Sequence, residues 1–277
     1  MRFKVLFLSV ILAGGIFTSC KKENVLTTSP NNNYDENLES ELEELFLQTK
    51  EEHSQNLKSS NQLNVPLPNK KNPYDIVGVK HNEALDLIRS QNNSKFDICQ
   101  LTDLIQREYD VKNAFSCSDI SNTFNSGRDM FFNNNNYSSQ LFDNLLDENK
   151  ISANERNILN STTSAIFNAN NMNQKIALLK ASENFTRNYP HISEDARQRI
   201  LTSFAIFRYS SFYWEIDEAD EVELACSVCV AAADAYAYYW ALNSPDVDDN
   251  VIQDNATAYS FSSLVSSVAE VIYTVSP

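Results

Sequence analysis

Glycine is scarce in this chain: four residues in 277, of which Gly14 and Gly15 sit in the leader and none follows Gly127. Barrels and sandwiches that turn on glycine, and glycine-rich loops that cradle phosphate, need backbone of positive φ or close approach, so the scarcity argues against them. Histidine is scarcer still, at three. His81 is followed by Asn82 and Glu83, which is not the HExxH spacing of a zinc helix. Basic residues number 22 against 37 acidic ones, for a net charge of −15, and loss of Arg2 and Lys4 with the leader makes the remainder more negative by two. Such a surface repels phosphate, which argues against nucleic acid as a partner and against electrostatic docking on anionic lipid. Strand alternation is nearly absent, and the chain shows no internal repeat, GxSxG turn, Walker loop or glycosidase-type carboxylate pair. The sequence implies no metal and no cofactor.

What is present begins with a leader. "MRFKVLFLSVILAGGIFTSCKKEN" opens with Arg2 and Lys4, runs apolar from Val5 to Phe17, and reaches Cys20 through Thr18 and Ser19. The run has the length of a signal-peptide core and is too short for a bilayer of about 30 Å. A cysteine closing such a run resembles the lipobox of bacterial lipoproteins, in the relaxed form of Bacteroidetes-type members, with Phe17 where leucine is usual. The resemblance implies cleavage before Cys20, a diacylglycerol on its thiol and a fatty acyl chain such as palmitate on its amine. Residues 1–19 are then a lipoprotein signal peptide and 20–33 a polar tether. The expected location is the bacterial cell envelope, with the chain held on the outer membrane by lipid on Cys20.

Beyond the tether, hydrophobic residues at 42% and charged residues at 21% befit a folded domain. Leu38, Leu42, Leu45 and Phe46 stand at helical spacing in an acidic stretch, 34–62, which predicts an amphipathic helix. "LNVPLPNKKNP" breaks it with three prolines. From 72 to 277 helical patterns follow one another: a helix to about Ser90, then Asp97–Ala114, Ser138–Glu148, Ser152–Ala169, Met172–Asn188, one containing Ile200, Phe204 and Phe207, and last Ala219–Asn243 and Ala256–Thr274. Ser152 and Glu155 have capping-box spacing, and Ser193 suits an N-cap. The fold class is all-α, a single multi-helix, bundle-like domain after a signal peptide and a flexible tether.

The most motif-like stretch is "NPYDIVGVKHN", Asn72–Asn82. Asn72 suits an N-cap with Pro73 at the first helical position, and Asp75 stands three residues on, where a carboxylate reaches back to the cap. Tyr74, Val77, His81, Leu85 and Ile88 form a stripe, with Gly78 beside it to let a neighbouring helix approach. His81 therefore points inward, as a core histidine or as an acid–base group in a cleft. "NPYDIVGVKHNEALD" also resembles the NPYDxxGxxHNxxLD signature of an uncharacterised family of bacterial secreted proteins and lipoproteins. Its members share a later SxxYW, here "SSFYW" at Ser210–Trp214, and an alanine-rich AADA helix, here "AAADAYAYYWA" at Ala231–Ala241. The resemblance covers about Asn72 to the C-terminus and brings no activity with it.

Other constellations are weaker. Cys226 and Cys229 form CxxC and join Cys99 and Cys117 as thiols, disulfides or a four-cysteine metal site, with thiols or disulfides favoured in an exported chain. Asp246, Asp248 and Asn250 imitate a calcium loop, but Val251 and Thr257 replace its glycine and glutamate. The apolar run Leu224–Leu242 holds Asp234 near its centre, which disfavours a membrane span. A buried Asp234 needs a partner, and His81, Asn82 and Arg208 are the candidates. Aromatic residues from Phe207 to Trp240 are dense enough for core packing or for a pocket taking a sugar or peptide. The expected function is a lipid-anchored envelope protein that binds a protein or peptide partner rather than catalysing. The alternatives are an envelope enzyme built on His81, Asn82 and Asp234, and a toxin-like, membrane-active C-terminal helix pair.

Overall fold

The computed structural model describes residues 34–54, 63–91, 142–147, 149 and 151–217, with positions 99, 100, 103, 104, 107 and 118. Among these residues the fold is all-α: six helices and no strand. They are α1 Leu38–Ser54, α2 Asp75–Gln91, α3 Asp143–Asp147, α4 Ala153–Phe167, α5 Met172–Asn188 and α6 Glu194–Asp217. Of the helices expected from the pattern, Ala219–Asn243 and Ala256–Thr274 lie outside the described residues, as does most of Asp97–Ala114.

Local chemistry sets the helix ends. Ser152 accepts from the Glu155 amide while the Glu155 carboxylate accepts from the Ser152 amide at 2.8 Å, a capping box that opens α4. Asn171 Oδ1 accepts from the Gln174 amide at 3.0 Å and opens α5, and Ser193 Oγ does the same for Ala196 at 3.1 Å in α6. The links α4–α5 and α5–α6 are short, so these three helices run antiparallel in sequence.

Helix α1 joins the same core. Leu38, Leu42 and Phe46, one turn apart, are buried with Ile158, Leu159 and Ile166 of α4 and Leu178 and Leu179 of α5. Each such side chain contributes roughly 1.5–3 kcal/mol by leaving water. Polar ties fix its direction. The Asp35 amide donates to Asn154 Oδ1 at 3.1 Å and the Tyr189 hydroxyl to Asp35 Oδ2 at 2.8 Å, while Gln174 Nε2 donates to the Lys50 carbonyl at 3.3 Å. Thus α1 begins where α4 begins and α5 ends, and it runs parallel to α4.

Helix α6 is buried continuously from Ile200 to Ser211, polar positions included. α2 lies along it: Gly78 meets Ala205, Asn82 donates to the Tyr209 carbonyl, and the Tyr213 hydroxyl donates to Asp86. The register rises on both helices together, so α2 and α6 run parallel. Ahead of α2 the proline-rich segment crosses α5 as a strap. The amides of Asn64 and Val65 donate to Asn173 Oδ1 at 2.7 and 3.1 Å, and Lys180 donates to the Pro66 carbonyl. The segment makes no regular backbone ladder, and its carbonyls at Pro66, Leu67 and Lys71 accept from Lys180, Arg208 and Arg187 of the helices beneath. No helix among the described residues is long and apolar enough to cross a membrane.

Candidate functional site

The strap and the first turn of α2 converge on one buried cluster of charges. Arg208, fully buried in α6, donates to Asp75, to Glu183 Oε1 at 2.9 Å and to the Leu67 carbonyl. Glu183, 1% exposed in α5, also accepts from Asn72 Nδ2 at 3.0 Å and from Asn69 Nδ2. Asn72 Nδ2 reaches the Leu201 carbonyl at 2.8 Å as well, and its Oδ1 accepts from the Tyr74 amide at 2.9 Å. Asp75 Oδ2 accepts from the Tyr209 hydroxyl at 3.0 Å. A buried ion is tolerated when it is paired and its remaining lone pairs are filled, and here two carboxylates share one guanidinium with hydrogen bonds around them.

The motif therefore caps α2 differently from its spacing. The Asp75 carboxylate reaches back six residues, to the Asn69 amide at 3.1 Å, and the Asn72 amide goes to the Asn69 carbonyl at 2.9 Å. Pro73 and Tyr74 form a turn, closed by the Asp75 amide on the Asn72 carbonyl at 3.3 Å, and the helix begins at Asp75. Asp75 does not close a reciprocal box with Asn72 because Arg208 and Tyr209 hold its carboxylate toward α6. Gly78 completes the docking: a Cβ there would stand 2.6 Å from the Ala205 carbonyl oxygen and 2.4 Å from Tyr209 Cδ2.

His81 lies on the inward stripe with Val77, Ala84 and Leu85 and is fully buried. Its Nδ1 is 3.1 Å from Asn82 Oδ1, and Asn82 Nδ2 donates to the Tyr209 carbonyl at 3.0 Å. Burial pushes the imidazole down to about 4, only partly opposed by the bond to Asn82, so the ring is neutral at pH 7. Burial and the Asp75 charge push the Tyr209 phenol up to about 12. Burial, and then Arg208, lower the Lys180 ammonium. Asp234, Cys20, Cys117, Cys226 and Cys229 lie outside the described residues. Cys99 is disulfide-bonded. No group of three His, Cys, Asp or Glu side chains among the described residues is arranged to hold a metal.

Glu183 is the hub that the motif's spacing does not reveal. A signal existed: Ile176, Leu179 and Glu183 share one helical face, and a carboxylate on an apolar stripe asks for a partner. Arg208 stands out likewise, as the one charged residue between Arg199 and Glu215.

A second feature is open to solvent. Between the parallel helices α1 and α4 lies a cleft of about 560 Å³. Phe46 and Ala165 are buried at its apolar part, Leu47 is 63% exposed at its mouth, and Glu39, Glu43 and Lys50 lie along the α1 wall. The α4 wall presents Arg156 and small polar side chains such as Ser161 and Ser164. Arg156 is engaged by Asp143 at 2.6 Å and by Asn157 Oδ1 at 3.0 Å. Comparison with protein-family models, curated proteins and solved structures finds no match.

Proposed function

We propose that this chain is an exported, lipid-anchored envelope protein that acts by binding a partner rather than by catalysis. The observation that carries the reading is where the motif spends its chemistry. Asn72, Asp75, Gly78 and Asn82 all make contacts that dock α2 and the strap on α5 and α6. His81, the natural acid–base group of the motif, is fully buried and neutral, whereas a general acid or base must reach its substrate. Export is supported by the leader that ends at Cys20 and by the disulfide at Cys99, since disulfides persist in oxidising compartments. Two or more acyl chains on Cys20 would give lasting anchorage, which the acidic surface does not supply.

The anchor is tested by growing cells on alkyne-palmitate and measuring the mass of the N-terminal peptide. Cys20 should be the first residue and carry diacylglycerol and acyl groups, and a Cys20→Ala variant should lose the label and leave the membrane fraction. A mature chain that keeps residues 1–19, or an unacylated Cys20, overturns the reading of location. The non-catalytic role is tested separately: where loss of the chain gives a cellular phenotype, a folded His81→Gln variant that fails to reverse it would return the enzyme reading built on His81, Asn82 and Asp234.

A further inference from the structure

We infer that the α1–α4 cleft is the docking site for an extended, cationic peptide segment of a partner protein. This deepens the reading of the chain as a binding protein and rests on it. Three observations on the cleft converge.

The first is charge. Glu39 and Glu43 lie one helical turn apart on the α1 wall and make no ion pair among the described residues, whereas the facing Arg156 is already matched by Asp143. That end of the cleft therefore carries uncompensated negative charge, in a chain whose net charge is −15. Electrostatic complementarity selects a partner bearing Lys or Arg there and speeds its arrival.

The second is apolar surface. Leu47 is one of the few large hydrophobic side chains left exposed among the described residues, and it lies at the mouth of the cleft beside buried Phe46 and Ala165. An aliphatic side chain seated against Leu47 removes both from water. The third is shape. Glu39 to Lys50 spans about 16 Å along α1 at the helical rise of about 1.5 Å per residue. That length accommodates about five residues of extended chain at roughly 3.3 Å each. Lys50 and Asn168, at the far end of the two parallel helices, suit the carbonyls or a carboxylate of the segment's other end.

Glu39, Glu43 and Leu47 are all exposed, so their replacement leaves the core intact, and circular dichroism verifies that each variant folds. The experiment titrates full-length protein in detergent with the unlabelled hexapeptide Lys-Leu-Lys-Leu-Ser-Glu, which keeps its net positive charge, by isothermal titration calorimetry at low salt and at 0.5 M NaCl. Saturable binding is expected, weakened about tenfold by Glu39→Gln with Glu43→Gln, as two exposed charge pairs imply. Leu47→Ser should weaken it several-fold with its salt dependence unchanged. Absence of binding, equal binding of Glu-Leu-Glu-Leu-Ser-Lys, equal binding of spermidine, or variants that bind as the parent does would each overturn the inference. Acylation of Cys20 is read independently, so a failed cleft leaves the anchor standing and a failed anchor leaves the cleft standing.

Discussion

Substituting alanine for Gly78 sets two effects of opposite sign against each other on one methyl group. In an exposed helix Gly→Ala stabilises by roughly 1 kcal/mol, because glycine loses more backbone entropy on folding. Here the new Cβ would lie 2.6 Å from the Ala205 carbonyl oxygen, 2.9 Å from the Ala205 carbonyl carbon and 2.4 Å from Tyr209 Cδ2. Two of those three atoms are α6 backbone, which cannot rotate away, so α2 must retreat by roughly 0.5–1 Å to restore ordinary contact. Overpacking of this kind costs about 1–3 kcal/mol. The retreat also lengthens the bonds from Asn82 to the Tyr209 carbonyl and from Tyr209 to Asp75, both now 3.0 Å. Overpacking therefore wins, and Gly78→Ala should destabilise by about 1–2 kcal/mol, lowering Tm by roughly 3–6 °C for a domain of this size. Thermal unfolding followed by circular dichroism measures it, with Ser90→Ala on the exposed face of the same helix as the control for propensity. A Gly78→Ala protein more stable than the parent would show that α2 does not pack against α6 at this distance.

Three further outcomes are expected, two at the helix interface and one at Cys99. Burial holds His81 down at about 4 in the folded state against an ordinary 6.5, so its contribution is fully present above pH 6.5 and is lost as pH falls toward 4. The loss totals about 3 kcal/mol at 1.36 kcal/mol per unit. Urea midpoints measured across that window should fall steeply for the parent and more gently for His81→Gln, and parallel slopes would refute a buried neutral ring. Arg208→Met leaves Asp75 and Glu183 without their guanidinium and should destabilise by about 3–5 kcal/mol; adding Glu183→Gln should recover part of it, whereas strict additivity in the double-mutant cycle would sever the link between the two. Cys99 should resist iodoacetamide in denatured, unreduced protein and alkylate after dithiothreitol, as peptide mass spectrometry reads; alkylation without reductant refutes its disulfide.

Much of the local structure was legible in the chain. The capping box at Ser152, the cap at Ser193 and the ends of Met172–Asn188 all follow from side chains within four residues of one another. The inward turn of His81 was legible as well, because Val77, His81 and Leu85 repeat every four residues. Asp75 shows where that reasoning stops. A local rule sends its carboxylate to the cap, but a guanidinium 133 residues further along the chain engages it. The stripe shows that Glu183 needs a partner but not which one, since Asn69, Asn72 and Arg208 are 114, 111 and 25 residues away. Helix α6 gives no warning through periodicity, since a helix buried on every side has no polar face to mark which side holds which partner. The cleft is hidden differently. It forms between α1 and α4, where a sequence shows the residues on each helix but not which helix faces them, and the side-by-side placement depends on shared core packing and on the tie from Asp35 to Asn154.

The buried charges have a consequence for where function resides. A paired ion cluster adds little net stability over an apolar core of equal volume, because desolvation offsets much of the attraction. Its effect is on which arrangement wins. An α2 shifted by one turn along α6 would strand Asp75 away from Arg208 and bring a residue with a side chain against Ala205, where Gly78 now sits. The NPYD segment thus works as a register key, with Asn72 reading Glu183, Asp75 reading Arg208 and Gly78 reading the α6 backbone. Residues committed in this way cannot also move toward a ligand without undoing the register. On the proposed reading as a binding protein, recognition falls to side chains that the register leaves in solvent, and the walls of the α1–α4 cleft combine the carboxylates of Glu39 and Glu43 with exposed Leu47.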